Sequence, residues 1–298
     1  MTVNYDKLRK ENEVKYGTDI GRIGGMLLAN RYDKRTHFIF ELLQNAEDAL
    51  RRRNGWKGSR AVSFHLASDE LRVSHYGQPF DEPDVRGVCG IDESTKDITA
   101  IGRFGIGFKS VYAFTDRPEI HSGSEAFTIK SYVWPFRVSA RKRKPDETLI
   151  ALPLRDKDRT AHKEITQGLE NLRARPLLFL RHVKEISWSV EGGPSGLYFR
   201  DDPQKLDTDV RELTLMGEQK DKPDVEERWL IFSREVRNEG KPVGHVEIAY
   251  SLSEQEIGTA PRDIRAIADS PLVVFFPTVL PTHVGHLIQG PYRTTLAV

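Results

Sequence analysis

Residues 38–50 have the sequence Phe-Ile-Phe-Glu-Leu-Leu-Gln-Asn-Ala-Glu-Asp-Ala-Leu, which is the most informative local pattern in the chain. At about 100° per residue, its apolar side chains fill one broad arc of a predicted amphipathic helix. Glu41, Asn45 and Asp48 are spaced i, i+4 and i+7, so they fall on one narrow polar stripe. Such a stripe can hold a hydrated Mg²⁺ through an amide oxygen and offer a base to water. Taken alone, it also matches a solvated helix face.

A second stretch, residues 101–114, reads Ile-Gly-Arg-Phe-Gly-Ile-Gly-Phe-Lys-Ser-Val-Tyr-Ala-Phe. Its three glycines lead into a predicted helix over residues 105–114. Glycine lets the backbone approach a ligand closely, and a helix N-terminus offers free N–H groups and positive potential. The stretch therefore predicts a phosphate-binding turn. A glycine loop alone is a weak signal, and its position after the acidic helix is what makes the pair informative.

The two stretches resemble the first and third motifs of the GHKL (Bergerat-fold) ATPase superfamily. Their sequences are most similar to those of the heat-shock chaperones and sacsin-like ATPase modules. The resemblance covers roughly residues 36–180. It implies an α+β protein, with a two-layer α/β sandwich ATPase domain over residues 1–184. In that domain a mixed, largely antiparallel sheet is covered by helices. A smaller α/β second domain is expected over residues 185–298, in a chain that continues beyond them.

The same resemblance implies ATP and Mg²⁺ as cofactors and gives individual residues a role. Glu41 is expected to activate the attacking water, Asn45 to hold Mg²⁺, and Asp48 to line the pocket near the base. The other expected nucleotide contacts come from the acidic helix, the second motif, the lid over residues 90–100, the glycine loop and the fourth motif: Ala49, His75, Gly77, Phe80, Ser94, Lys96, Gly102, Phe104, Gly105, Ile106, Gly107, Phe108, Lys109 and Thr148. The lid stretch also fits an ordinary surface loop.

The second motif departs from the family pattern. An Asp usually accepts the adenine amino group there, and the matching residue in this chain is His75. Neutral imidazole has one acceptor nitrogen and can take that hydrogen bond. Alternatively, His75 is structural and the base is recognised by backbone or water. A third alternative is a degenerate pocket, against which the intact Glu41, Asn45 and loop glycines argue.

Composition narrows the class of protein. The 298 residues suggest two modest domains, and a formal net charge of +1 gives no field that favours nucleic acid or a membrane. One cysteine, Cys89, excludes an intrachain disulfide and fits the cytoplasm, where we expect the protein. No apolar run approaches the ~20 residues that span a bilayer. The basic cluster at residues 137–145 leaves nucleic acid open but favours a solvated hairpin tip, because no aromatic residues are interleaved.

Local patterns complete the expected secondary structure. Helices are predicted at residues 5–16, 81–88 and 160–180, and strands at residues 61–66, 71–74, 118–121, 126–134, 148–154, 185–190, 213–216, 229–236, 243–252 and 272–277.

The function expected from the resemblance is Mg-dependent ATP binding and hydrolysis by a chaperone-like module. The module would be slow in isolation and would drive conformational change in a larger protein. The alternative is an ATPase or sensor module of a DNA-linked or antiviral defence protein that gates a downstream effector. ATP and ADP are the expected ligands, and the expected protein partner is a second copy of the chain, bound through the N-terminal segment (residues 20–30) or the lid.

Overall fold

The computed structural model describes residues 2–17, 19–20, 34–91, 107–156, 158–253, 263–274 and 276–290. The chain is of mixed α+β class, with a large, mostly antiparallel sheet and few helices, as predicted. It divides into two compact units, Met1–Asn171 with Ile186–Ser195, and Leu172–Glu185 with Gly196–Val298. The two-layer sandwich and the domain boundary at residue 185 stay predictions. None of the described helices is both long and apolar enough to cross a membrane.

The first unit contains the predicted acidic helix and hairpin. Its described helices are α1 (Tyr5–Tyr16), α2 (Phe38–Arg52), α3 (Glu82–Cys89) and α4 (Ala161–Glu170), with 3₁₀ turns at Arg35–His37 and Phe108–Ala113. Its strands are β1 (Ala61–Leu66), β2 (Glu70–His75), β3 (Glu119–Ser122), β4 (Glu125–Lys130), β5 (Trp134–Arg137), β6 (Thr148–Pro153) and β7 (Glu185–Val190). Neighbouring strands follow the order β7-β1-β2-β6-β3-β4-β5. From β1 to β5 every neighbouring pair is antiparallel.

Burial of its apolar arc holds helix α2 in place. The side chains on that arc are almost completely buried: Phe38, Ile39, Leu42, Leu43, Ala46, Ala49 and Leu50. Each large side chain of this kind contributes about 1.5–3 kcal/mol when it leaves water. The polar stripe is part of this arrangement, because Glu41 and Asn45 are half-buried and Asp48 is buried. The helix ends at Arg52, shortly before Gly55 at φ 72°, as its sequence predicted.

Three predicted elements of the first unit are wrong in their extent or their type. The single strand expected over residues 126–134 is two strands, because Ser131 and Tyr132 take positive φ values of 46° and 69° and reverse the chain. The helix expected over residues 160–180 ends at Glu170, before Arg173 at φ 54° and a 3₁₀ turn that contains Pro176. The described part of the helix expected over residues 105–114 is likewise a 3₁₀ turn.

The second unit consists mainly of antiparallel strands. After a 3₁₀ turn at Arg175–Leu178, its strands are β8 (Ser195–Arg200), β9 (Gln204–Lys205), β10 (Val210–Gln219), β11 (Val225–Asn238), β12 (Lys241–Leu252), β13 (Ile264–Arg265), β14 (Pro271–Val274), β15 (Phe276–Pro281) and β16 (Leu287–Gln289). Neighbours follow the order β15-β14-β16-β12-β11-β10-β8, with β14 and β16 parallel. The strands predicted at residues 213–216, 229–236 and 243–252 are confirmed. The strand predicted over residues 272–277 falls on two strands, with residue 275 outside the described residues.

The turn after β2 lies directly on the backbone of α2. A Cβ atom added to Gly77 would stand 2.4 Å from the Cβ of Ala49 and 2.9 Å from the backbone nitrogen of Leu50. The N–H of Gln78 donates to the carbonyl of Ala49 at 2.8 Å. Only glycine leaves room for this contact, because helix backbone cannot move aside as a flexible side chain can.

We expect Gly77→Ala to lower the free energy of unfolding by roughly 3 kcal/mol, at the upper end of the cost of overpacking, since the new methyl group meets helix backbone. Urea denaturation of both proteins measures the difference. Gly107→Ala is the matched control. It adds the same methyl group at φ −60° and ψ −46°, where the nearest atoms belong to the flexible end of the Glu41 side chain. The control should change stability by less than about 1 kcal/mol, and equal losses in the two variants would refute the argument.

Candidate functional site

The catalytic candidate on α2 meets the end of the glycine loop. A Cβ atom added to Gly107 would stand 2.1 Å from Oε2 of Glu41 and 2.9 Å from its carboxyl carbon. On its other side, Oε1 of Glu41 lies 3.6 Å from Nε2 of His37, and 17% of the Glu41 side chain is exposed. Among the described residues, the carboxylate therefore lies between the ring of His37 and the backbone of Gly107.

Asn45 and Asp48 continue the stripe along α2. Asn45 is half-buried, and its side chain makes no hydrogen bond to any residue that the structure describes. The carboxylate of Asp48 is fully buried, and its Oδ1 lies 3.3 Å from Nη2 of Arg51. Glu41 and Asn45 are thus the partly exposed members of the stripe, whereas Asp48 is buried beside Ala49.

A row of polar side chains crosses three strands where the second motif, at His75, meets the fourth motif, at Thr148. His75 on β2 is paired with Thr148 on β6. The register between β3 and β6 places Ser122 next in the row. All three side chains are buried, and the hydroxyl oxygens of Ser122 and Thr148 are 2.5 Å apart. Directly opposed residues of antiparallel strands project from the same face of a sheet, so these three groups line one surface.

The turn between β2 and α3 is tied to this row by two backbone hydrogen bonds. The N–H of Gly77 donates to Nδ1 of His75 at 3.1 Å, and the N–H of Phe80 donates to the hydroxyl of Ser122 at 3.0 Å. The structure therefore brings together four predicted residues, His75, Gly77, Phe80 and Thr148. Ser122 could not be identified from the sequence, because only the strand register shows that it adjoins Thr148. Its position at the end of a strand, just before Gly123, is the one signal that the sequence offered.

Burial keeps the ring of His75 neutral. Loss of hydration, together with the nearby charge of Arg52, lowers the pKa of His75 to about 4. A charged imidazolium would have to give up its hydration in a fully buried position, which disfavours the charged form. At neutral pH the ring therefore offers one donor and one acceptor.

Lys109 and Phe108 serve the core of the first unit. The ammonium of Lys109 is buried, where it donates to the carbonyls of Val88 and Tyr132, and burial lowers its pKa to about 8. It thereby joins the C-terminal end of α3 to the turn between β4 and β5. Phe108 is also buried. This geometry gives no support to the expected contact between Lys109 and phosphate oxygens.

The basic cluster at residues 137–145 is tied to its own unit. It connects β5 to β6, which are not neighbours in the sheet, so it is not a hairpin tip. Nη1 of Arg141 lies 2.8 Å from Oε1 of Glu70, and its Nη2 lies 2.7 Å from Oε2 of Glu119. These pairs neutralise part of the charge that nucleic acid would need.

Several predicted residues lie outside the described part of the chain: Ser94, Lys96, Gly102, Phe104, Gly105 and Ile106. The segments on which the expected homodimer depends, residues 20–30 and 90–100, also lie largely outside it. Among the described residues, no group of three or more His, Cys, Asp or Glu side chains could hold a metal ion.

Comparison with known proteins places this geometry in context. A family model described as "Sacsin domain" matches residues 73–130, which include His75, Gly107 and Ser122. The chain is 33% identical over 121 residues to Sacsin of Homo sapiens, a match that covers 34% of this chain and 2% of that protein.

Two further relatives match over longer stretches. Identity to Protein NO VEIN of Arabidopsis thaliana is 29% over 193 residues, covering 56% of this chain and 7% of that protein. Identity to Chaperone protein HtpG of Aliarcobacter butzleri (strain RM4018) is 24% over 213 residues, covering 58% of this chain and 33% of that protein. The matched part is thus a third or less of each relative's length. These matches confirm the resemblance seen in the motifs: the chain carries a module related to the sacsin and HSP90-like GHKL ATPases.

Proposed function

We propose that this chain binds ATP together with Mg²⁺ and hydrolyses it slowly, as a chaperone-like ATPase module. The observation that carries the proposal is the contact between the Glu41 carboxylate and the backbone of Gly107. It joins the one half-buried acid of the polar stripe to the end of a glycine-rich turn. The relationship to HtpG and sacsin supports the same function.

Glu41 is the proton acceptor in this proposal. Its position in the first turn of α2 and its contact with Gly107 limit the directions that the carboxylate can take. A base that is held in place can remove a proton from water as the water attacks the terminal phosphorus. His37, 3.6 Å away across the other carboxylate oxygen, restricts the side chain further.

Asn45 is the protein ligand proposed for Mg²⁺. Mg²⁺ usually keeps several water molecules and takes only one or two protein oxygens beside the substrate phosphates, so a cage of acids is not required. The amide of Asn45 fits this requirement, because it is half-buried one helical turn from Glu41 and makes no hydrogen bond to a described residue. When bound, Mg²⁺ supplies charge stabilisation to the phosphate oxygens.

The base of the nucleotide is assigned to the row of His75, Thr148 and Ser122, with Gly77 and Asp48 behind it. The glycine loop over residues 102–107 is proposed to receive the phosphates through its N–H groups. The two-layer sandwich and a second domain from residue 185, to which the ATPase cycle would be coupled, belong to the same proposal.

Replacing Glu41 tests the catalytic step. Glu41→Gln keeps the size of the side chain but removes the proton acceptor, so we expect nucleotide affinity to be retained and turnover to fall roughly 10²- to 10⁴-fold. Phosphate release and calorimetry measure the two quantities. Glu13→Gln, at an exposed acid on α1, is the control and should leave turnover unchanged. Undiminished turnover in Glu41→Gln would remove this residue from the mechanism.

Replacing Asn45 tests the metal ligand. We expect Asn45→Ala to weaken ATP binding at least about 10-fold when Mg²⁺ is present, because one oxygen ligand is lost. In the presence of a chelator the variant and the wild type should bind alike. Gln44→Ala removes a neighbouring half-buried amide that points about 100° away around the helix, and it should show no Mg-dependent loss. Calorimetry that gave the same Mg²⁺ effect for all three proteins would contradict the assignment.

Adding a methyl group at Gly107 tests the contact itself. Gly107→Ala must displace the Glu41 carboxylate, so turnover should fall towards that of Glu41→Gln while the fold persists. If both changes act through the same carboxylate, the double variant should be no slower than Glu41→Gln alone. Losses that multiply in the double variant would show that Gly107 and Glu41 act separately.

A further inference from the structure

His75 makes a hydrogen bond at only one of its ring nitrogens within the part of the chain that the structure describes. That bond comes from the N–H of Gly77, which donates to Nδ1 at 3.1 Å. A nitrogen that accepts a hydrogen bond carries no proton, so the proton of the neutral ring lies on Nε2. The single acceptor of the imidazole is therefore occupied within the protein, and the free nitrogen is a donor.

The surrounding packing prevents the ring from exchanging these two roles. Gly77 cannot turn its N–H away, because its backbone is pressed against Ala49 and the next N–H, that of Gln78, donates to the Ala49 carbonyl. A ring with its proton on Nδ1 would place that proton against the N–H of Gly77. The turn after β2, held against α2, therefore fixes the tautomer of His75.

Of the polar groups in the row, only Nε2–H of His75 has a fixed hydrogen-bonding role. The hydroxyls of Ser122 and Thr148 face each other at 2.5 Å, and either of them can be the donor. These hydroxyls adapt to a ligand by rotating, whereas Nε2–H of His75 does not. A base that enters this row must therefore present an acceptor to His75, or leave a buried donor unpaired and bind roughly 10-fold more weakly.

We propose that His75 recognises the nucleobase as a hydrogen-bond donor, through Nε2–H, and does not accept a hydrogen bond from an exocyclic amino group. The matching acceptor is a ring nitrogen or a carbonyl oxygen on the edge of a purine, either N1 of a 6-aminopurine or the oxygen of a 6-oxopurine. This inference rests on the proposed function, because it specifies which base edge the same pocket selects.

Three nucleotides with the same ribose and triphosphate test the inference on the full chain with Mg²⁺. ATP carries the 6-amino group, purine riboside triphosphate lacks it but keeps N1 as an acceptor, and inosine triphosphate carries a 6-oxo group with a proton on N1. Calorimetry should show that loss of the 6-amino group changes Kd by less than about 3-fold, since His75 offers it no acceptor and the hydroxyls of Ser122 and Thr148 can pair with each other instead.

The third nucleotide identifies the acceptor. If N1 is the acceptor, inosine triphosphate should bind roughly 10-fold more weakly than ATP, because two N–H donors would then oppose each other. If the 6-oxo group is the acceptor, inosine triphosphate should bind roughly 10-fold more tightly than ATP. Both results support a donor at His75. If the wild-type protein bound purine riboside triphosphate about 10-fold more weakly than ATP, the inference would be overturned.

His75→Asp is the variant that should reverse the preference. One carboxylate oxygen can accept the N–H of Gly77, two residues on, as in an Asx turn. The other oxygen offers the acceptor that the histidine lacks. We expect the variant to bind ATP at least about 10-fold more tightly than purine riboside triphosphate. Equal binding of the two nucleotides by a folded variant would count against the role of this position in base recognition.

Two further measurements separate the possible failures. Nitrogen chemical shifts of the His75 ring in the wild-type protein report the tautomer without any nucleotide, and a protonated Nδ1 would overturn the inference even if His75→Asp fails to fold. A wild-type chain that bound none of the three nucleotides would refute the proposed function and the inference with it. Intact binding that depends on the 6-amino group would refute the inference alone.

Discussion

The close approach of glycine backbone to helix α2 is the constraint on which the rest of the site depends. At one end of the helix, the carboxylate of Glu41 occupies the space that a Cβ of Gly107 would fill. Further along the helix, Ala49 and the backbone that follows it occupy the space that a Cβ of Gly77 would fill. The two contacts differ in kind, because the first involves a movable side chain and the second a rigid helix backbone. One glycine therefore governs where the acid can point, and the other governs whether the turn can pack at all.

Local sequence predicted the elements whose patterns are periodic, and it was least accurate where the chain turns. The acidic helix, the β1–β2 hairpin and the long strands of the second unit follow from the spacing of apolar residues. The breaks at Ser131, Tyr132 and Arg173 depend on left-handed backbone at non-glycine residues, which no periodic pattern shows. The extent of the sheet could therefore be predicted only up to those turns.

The candidate site shows the same division between what is local and what depends on tertiary structure. Glu41, Asn45 and Asp48 could be placed on one stripe because helical geometry relates them directly. Ser122 could not be found, because it enters the row through the register of β3 and β6. The position of Lys109 was equally hidden, since a cation within two residues of a glycine turn fits phosphate binding until its buried carbonyl partners are known. This part of the site depends on contacts between elements that are far apart in the sequence.

Helix α2 also sets the distance between the two ends of the site. Glu41 and Ala49 are eight residues apart, which corresponds to about 12 Å along a helix that rises 1.5 Å per residue. The turn that holds His75 lies against Ala49, and the carboxylate that would activate water lies against Gly107. A nucleotide whose base enters the row of His75 would thus extend along one rigid element towards Glu41. Because the same helix fixes both ends, a change that tilts α2 at the Gly77 contact would shift the Glu41 carboxylate as well. In the proposed function, recognition of the base and the geometry of hydrolysis would therefore be mechanically linked through this one helix.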